Sequence, residues 1–195
     1  MPHFASPGMN VLDQPAYADY LIAPYYQQLF VLGEYRELLQ KLISQLKFAN
    51  KPLVAEVLAI FFMRFVFARI SLFEDIPDTI VPVPLSNRRY AKRGYNQARL
   101  LSRSLSRMSK IRHFDALKRI KNTKKQTELG REERLNNTLD AFALCRPISC
   151  KHIVLVDDVI TTGATINEAC KAIVKVYPDV HISVWAMAIA PSPKR

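Results

Sequence analysis

The sequence predicts an α/β fold with a mainly parallel sheet flanked by helices, on three observations. Ile153-Val154-Leu155-Val156 is an aliphatic run without polar interruption, as in a strand buried on both faces. Amphipathic helical repeats alternate with such runs along the chain, which is the order expected of parallel strands joined by helices. A hydroxyl-rich glycine turn follows the aliphatic run and opens a helix. Its chemistry therefore sits at a strand's carboxyl end, the edge where open parallel sheets bind ligands.

Each element has its own warrant. Tyr35, Leu38, Leu39, Leu42, Ile43 and Leu46 recur at helical spacing, so Tyr35 to Phe48 reads as an amphipathic helix. Leu53 to Phe73 is strongly apolar but broken by Glu56, Arg64 and Arg69, so it reads as a core helix rather than a membrane span. Thr79 to Pro84 is a short strand in which Pro82 implies an edge position or the strand's end. Ala98, Leu101, Leu105 and Met108 define a helix over Gln97 to Met108. Ala141 to Cys145 and His152 to Asp157 are strands separated by Pro147, Ile166 to Tyr177 is a helix, and His181 to Ile189 closes as a strand.

The chain has 195 residues, of which 49% are apolar, enough for one sizeable core and without sign of a second. The expected division is an N-terminal extension over 1–33, one domain over 34–190 and a short tail over 191–195. The N-terminus lacks the basic start and apolar run of a secretory signal. Cys145, Cys150 and Cys170 are odd in number and lack metal-ligand spacing, which favours a reducing, cytoplasmic setting over disulfides.

The densest chemistry lies in Val156-Asp157-Asp158-Val159-Ile160-Thr161-Thr162-Gly163-Ala164-Thr165. Thr165-Ile166-Asn167-Glu168 has the form of a capping box, so Thr165 is expected to start a helix whose first N–H groups are unpaired. Those donors, with the helix dipole, suit an anion. Gly163 lets the backbone approach a phosphate, and Thr161, Thr162 and Thr165 supply hydroxyl donors. Asp157 and Asp158 are acceptor-only carboxylates that suit ribose hydroxyls, provided the chain is already leaving the sheet, because strand neighbours point to opposite faces. Phosphoacceptor and general magnesium sites also use such acidic pairs. The turn is neither a Walker loop nor a dinucleotide fingerprint.

The net charge of +11 is concentrated. Asn87 to Arg134 holds 16 Lys and Arg against 4 Asp and Glu. Such a run is often only a solvated face, but its place between two strands puts positive potential near the phosphate turn. Arg93-Gly94-Tyr95-Asn96-Gln97-Ala98 offers donors for a second anion. Arg119 to Leu129 is polar, cationic and without apolar period, and reads as a mobile loop or hairpin over the site. Arg88, Arg89, Lys92 and Tyr95 are candidates for nucleic acid, the tyrosine by stacking on bases or else by ordinary packing.

The run from Val156 to Thr165 resembles the signature of type I phosphoribosyltransferases, which bind 5-phosphoribosyl 1-pyrophosphate (PRPP). Val81-Pro82-Val83-Pro84-Leu85, Arg93 to Ala98, the Arg119-x-Lys121-x-Thr123-x-x-Gln126-x-x-Leu129 run, Arg134-x-x-Asn137 with Ala141-Phe142, and the acidic signature occur in the order and spacing of the ComF competence family. The resemblance covers roughly Glu34 to Ala190. It implies a type I phosphoribosyltransferase-like fold with a mobile hood, and ribose-facing, catalytic positions at Asp157 and Asp158. It puts Val159, Thr161, Thr162, Gly163, Ala164 and Thr165 at the 5-phosphate, and Leu85, Ser86 and Arg93 at the pyrophosphate. The hood would carry Arg119, Lys121, Gln126 and Arg134.

Magnesium is expected with PRPP, with no metal ligand assigned directly to the protein. Many relatives carry an N-terminal four-cysteine zinc finger. Met1 to Gly33 contains no cysteine, so no zinc is expected. The leading expectation is a PRPP-binding protein that handles single-stranded DNA during natural transformation, in the cytoplasm, with partners in the uptake machinery. The alternatives are an active phosphoribosyltransferase acting on a nucleobase or other acceptor, and a PRPP-sensing regulator that binds RNA.

Overall fold

A computed structural model describes residues 8–18, 21, 25–48, 51–73, 76–120 and 140–190. The centre is a five-stranded parallel sheet of β1 (Gln28–Val31), β2 (Thr79–Pro82), β3 (Arg112–His113), β6 (His152–Ile160) and β7 (His181–Ile189). Their order across the sheet is β1-β7-β6-β2-β3. A separate antiparallel ribbon pairs β4 (Leu117–Arg119) with β5 (Phe142–Leu144). The expected α/β architecture is therefore present, and the strand foreseen over Ala141 to Cys145 belongs to the ribbon instead of the main sheet.

The pleat divides the core in two. On β6, Ile153 and Leu155 face one cluster, which also holds Ile166, Ala169, Cys170 and Ile173 of α7 (Ala164–Val174) and the ribbon's Leu117 and Phe142. Val154 and Val156 face the other, against α2 (Glu37–Phe48), α3 (Val54–Phe62) and α6 (Gln97–Ser109). Alternation of this kind, with both faces covered, accounts for the uninterrupted aliphatic run.

The helix expected over Leu53 to Phe73 is α3, a π-helical stretch at Met63–Phe67, and α4 (Ala68–Phe73). Its inner residues Leu58, Phe62, Val66 and Ile70 are buried, with Phe62 and Phe67 packed on Trp185 at 5.3 and 5.6 Å between ring centres. Among the described residues, no helix is long and apolar enough to cross a membrane.

The described residues before Glu34 pack into the domain. The short run Leu29-Phe30-Val31 lies within β1, paired with Val184, Trp185 and Ala186 of β7. Before it, a 3-10 turn at Val11–Asp13 and the single turn α1 (Pro15–Ala18) set Val11 and Tyr17 into the core, and Asn10 Oδ1 accepts from Leu29 N–H at 2.9 Å.

Pro82 marks the end of β2, not an edge strand. β2 lies between β6 and β3, and β3 pairs only with Thr79 and Ile80. The ladder donor that proline lacks is replaced by the next residue, since Val83 N–H donates to Val156 O at 3.0 Å.

Candidate active site at the carboxyl edge of the sheet

β6 outlasts its neighbour. It runs to Ile160, whereas β2 is last paired at Pro82 with Val156, so from Asp157 onward the β2 side of β6 is open. A cavity of about 320 Å³ fills that opening, bordered by Asp157, Asp158, the turn after β6 and the segment after β2. Both carboxylates border it while still on the strand, because it is the neighbouring strand that has ended.

Position on the strand then assigns each carboxylate a partner. Asp158 turns to the α2 face, where Lys47 in the last turn of α2 meets its Oδ1 at 3.0 Å. Asp157 turns to the ribbon face, where Arg119 lies at the end of β4. Asp157 Oδ1 also accepts from Asp158 N–H at 2.8 Å. Burial first, and the adjacent Asp158 second, push the Asp157 carboxyl up to about 7, against the opposing pull of that hydrogen bond, Lys47 and Arg119.

Four cationic side chains line the same cavity: Lys47, Arg89, Arg93 and Arg119. Burial, then the nearby Arg89, brings the Arg119 guanidinium down to about 10, and its plane is stacked 5.0 Å over the Phe142 ring. Burial also lowers Arg93, which donates to Gln97 Oε1 at 2.9 Å and lies over Phe48. Among the described residues, four cations face two carboxylates in this partly desolvated lining, an excess of positive charge that suits an anion.

The turn departs from the expected capping box. α7 starts at Ala164, one residue early, with Gly163 as its N-cap in the left-handed region at φ 77°. That angle is where a side chain is strained, so the glycine is required by the backbone. Thr165 is consequently inside the first turn, bordering the cavity with Thr161 and Gly163. Thr162 Oγ1 accepts from Ala164 N–H at 3.4 Å, and Val159 contributes to the cavity wall. Glu168 reaches away from the helix start and accepts from Asp140 N–H at 2.9 Å.

The segment after β2 is shaped by caps. Ser86 is buried and caps α5 (Asn87–Arg93) by accepting from Arg89 N–H, while Leu85 lines the cavity. Asn96 caps α6 and its Nδ2 donates to Val83 O at 2.9 Å, fixing the helix start beside the strand end.

The residues assigned to nucleic acid separate. Arg89 faces the cavity, and Tyr95 donates its hydroxyl to Leu46 O at 2.6 Å and packs on the core, so its ring serves packing. Arg88 and Lys92 remain exposed on α5 beside Tyr90. Of the hood positions, Arg119 lines the cavity, and Lys121, Gln126 and Arg134 lie outside the described residues. Sequence reasoning gave no site role to Lys47, although its helix, ending Leu46-Lys47-Phe48, also resembles the family, nor to Tyr35, which forms part of the cavity wall.

Comparison with known proteins identifies the family. The phosphoribosyl transferase domain model matches residues 64–191. Competence protein F of Haemophilus influenzae is 37% identical over 172 residues, covering 86% of this chain and 75% of that protein. DNA utilization protein YhgH of Escherichia coli K12 is 36% identical over 166 residues, covering 84% of this chain and 73% of that protein. Competence protein ComFC of Bacillus subtilis is 30% identical over 153 residues, covering 78% of this chain and 60% of its own length. A solved adenine phosphoribosyltransferase from Leishmania donovani, at 15% identity and a TM-score of 0.33 over 81% of this chain and 83% of its own, is too distant to add to the case. With the signature turn, the parallel sheet and these relatives in agreement, the chain belongs to the ComF family of phosphoribosyltransferase-like proteins.

Proposed function

We propose that this protein binds PRPP at the carboxyl edge of β6 and, in the cytoplasm, handles single-stranded DNA taken up during natural transformation. The observation that carries the ligand is the cavity's charge. Lys47, Arg89, Arg93 and Arg119 converge on two carboxylates beside a glycine-capped helix start. A sugar carrying a phosphate and a pyrophosphate matches that pattern, with hydroxyls for Asp157 and Asp158, its 5-phosphate at Thr161 to Thr165, and its pyrophosphate toward Arg89 and Arg93.

Magnesium fits this lining only on the ligand's own oxygens. Asp158 Oδ1 is held by Lys47, and Asp157 Oδ1 by a backbone N–H, so the pair is not an open cage for a bare cation. The metal's contribution would be to neutralise pyrophosphate charge. The protein's contribution is orientation by the carboxylates and a desolvated cationic wall.

The DNA part rests on the relatives, two of whose names state competence and one DNA utilization. Those names favour DNA over transfer to a free nucleobase and over RNA regulation. Titration calorimetry with PRPP and magnesium tests the site. Replacing both Asp157 and Asp158 by Ala should abolish the binding heat while circular dichroism stays unchanged. Unaltered affinity would refute the assignment.

A further inference from the structure

The DNA-facing surface is not where the α5 arginines suggest. Arg89 and Arg93 are committed to the cavity and Tyr95 to the core, leaving α5 with two exposed cations, Arg88 and Lys92. A stronger cationic surface lies on the next helix. α6 buries Ala98, Leu101, Ser102 and Leu105 and presents Arg99, Arg103 and Arg107 on its outer side at intervals of four, one above another about 6 Å apart. Arg99 is held by Asp115 at 2.7 Å. Arg103 and Arg107 are exposed, and Arg107 donates to Ser104 Oγ at 3.4 Å and meets Glu56 at 3.9 Å. The ridge ends at exposed Lys110, whereas Arg112 on the edge strand β3 turns to the other face of the sheet, its guanidinium 5.0 Å over the Phe114 ring.

This ridge flanks a groove. Pro52, Leu53 and Glu56 form one wall and Leu100, Arg103 and Arg107 the other, enclosing about 490 Å³. Leu53 is 77% exposed. A lining that sets Arg103 and Arg107 beside apolar Leu53 and Leu100, with Glu56 drawn to Arg107, suits a ligand with a phosphate edge and free base faces, which a duplex conceals. α6 also begins at Gln97, which lines the PRPP cavity, and reaches Arg107 about 15 Å further along.

We infer that single-stranded DNA binds along the α6 ridge, its phosphates on Arg103, Arg107 and Lys110 and its bases toward Leu53 and Leu100. This inference rests on the DNA-handling reading and assigns its surface. The test is fluorescence anisotropy of the full chain with a labelled, unstructured oligonucleotide over a salt series. It compares Arg103→Gln with Arg107→Gln and Lys110→Gln against Arg88→Gln with Lys92→Gln. The ridge variant should bind at least about tenfold more weakly, and its salt slope should fall by about 2, at roughly 0.7 for each phosphate no longer neutralised. The α5 variant should stay close to the parent protein. The double variant Arg103→Gln and Arg107→Gln leaves Lys110 in place, and should show a smaller shift in the same direction. Larger losses from the α5 variant, or an unchanged slope in both ridge variants, would overturn the surface assignment while leaving the DNA-handling reading intact. An oligonucleotide that the parent protein fails to bind would overturn both, whether or not PRPP still binds.

Discussion

Strands β6 and β7 bury polar groups at both ends, and the two ends manage the cost differently. At the amino end, Ser183 Oγ donates to Gln28 Oε1 at 2.7 Å and meets His152 Nε2 at 2.7 Å, while the His152 and His181 rings pack edge to face at 4.4 Å. Polar side chains there satisfy one another within the protein. At the carboxyl end, two adjacent carboxylates share a cavity with four cations, and the Asp157 carboxyl is raised by burial. The first arrangement is complete as folded. The second is costly as folded, as expected of a functional end whose proposed ligand would complete it.

The largest expected effect that sharpens this contrast separates two neighbouring arginines. Arg89→Ala should weaken PRPP binding by about 10- to 100-fold, the loss of one charge-assisted hydrogen bond, whereas Arg88→Ala should leave it near the parent value. Equal losses by calorimetry would mean that α5 acts through general charge and that the cavity does not distinguish its two faces.

At the other end, Ser183→Ala should cost about 1–3 kcal/mol of stability, because His152 and Gln28 lose a buried partner, without change in PRPP affinity. Urea denaturation and calorimetry on the same preparation check the two halves. A change in affinity would show that the ends are coupled and that the division between them is false.

The smallest effect concerns Asp157. Between about pH 4 and 7 the folded protein holds a proton on this carboxyl that the unfolded chain has released, so its contribution to stability falls as pH rises through that window. Asp157→Asn removes the titration and keeps an oxygen acceptor for Asp158 N–H. The variant should melt higher than the parent at pH 8, by about 2–4 °C per kcal/mol recovered, and show little gain at pH 4. A gain that is the same at both values would place the cause in packing instead of charge.

The sequence made the carboxyl edge readable because its chemistry is contiguous. Strand, acidic pair, threonines and glycine occupy one run, and each residue type has a local reason to be there. What it hid depends on long-range pairing. Lys47 reaches Asp158 from more than a hundred residues away, and no local pattern distinguishes it from a solvated helix lysine. The capping box failed because Gly163, in the left-handed conformation, starts the helix before Thr165 and frees Glu168 for Asp140. β1 was missed because four residues are too short a run for alternation to show. The partition of the basic region was equally hidden: sequence counts charges, but only helix phase decides that Arg89 enters the cavity and Arg103 faces out.

β1 has a practical consequence for anyone trimming this protein. The family match begins at residue 64, yet the edge of the sheet is closed by Gln28–Val31. Without that short strand, β7 would present the open hydrogen-bonding side of one of the most apolar segments in the chain, Ile182 to Ile189. Such an edge pairs readily with other chains. The opening residues thus act as a built-in solubility guard, and a version shortened to the matched region would be expected to clump before its chemistry could be assayed.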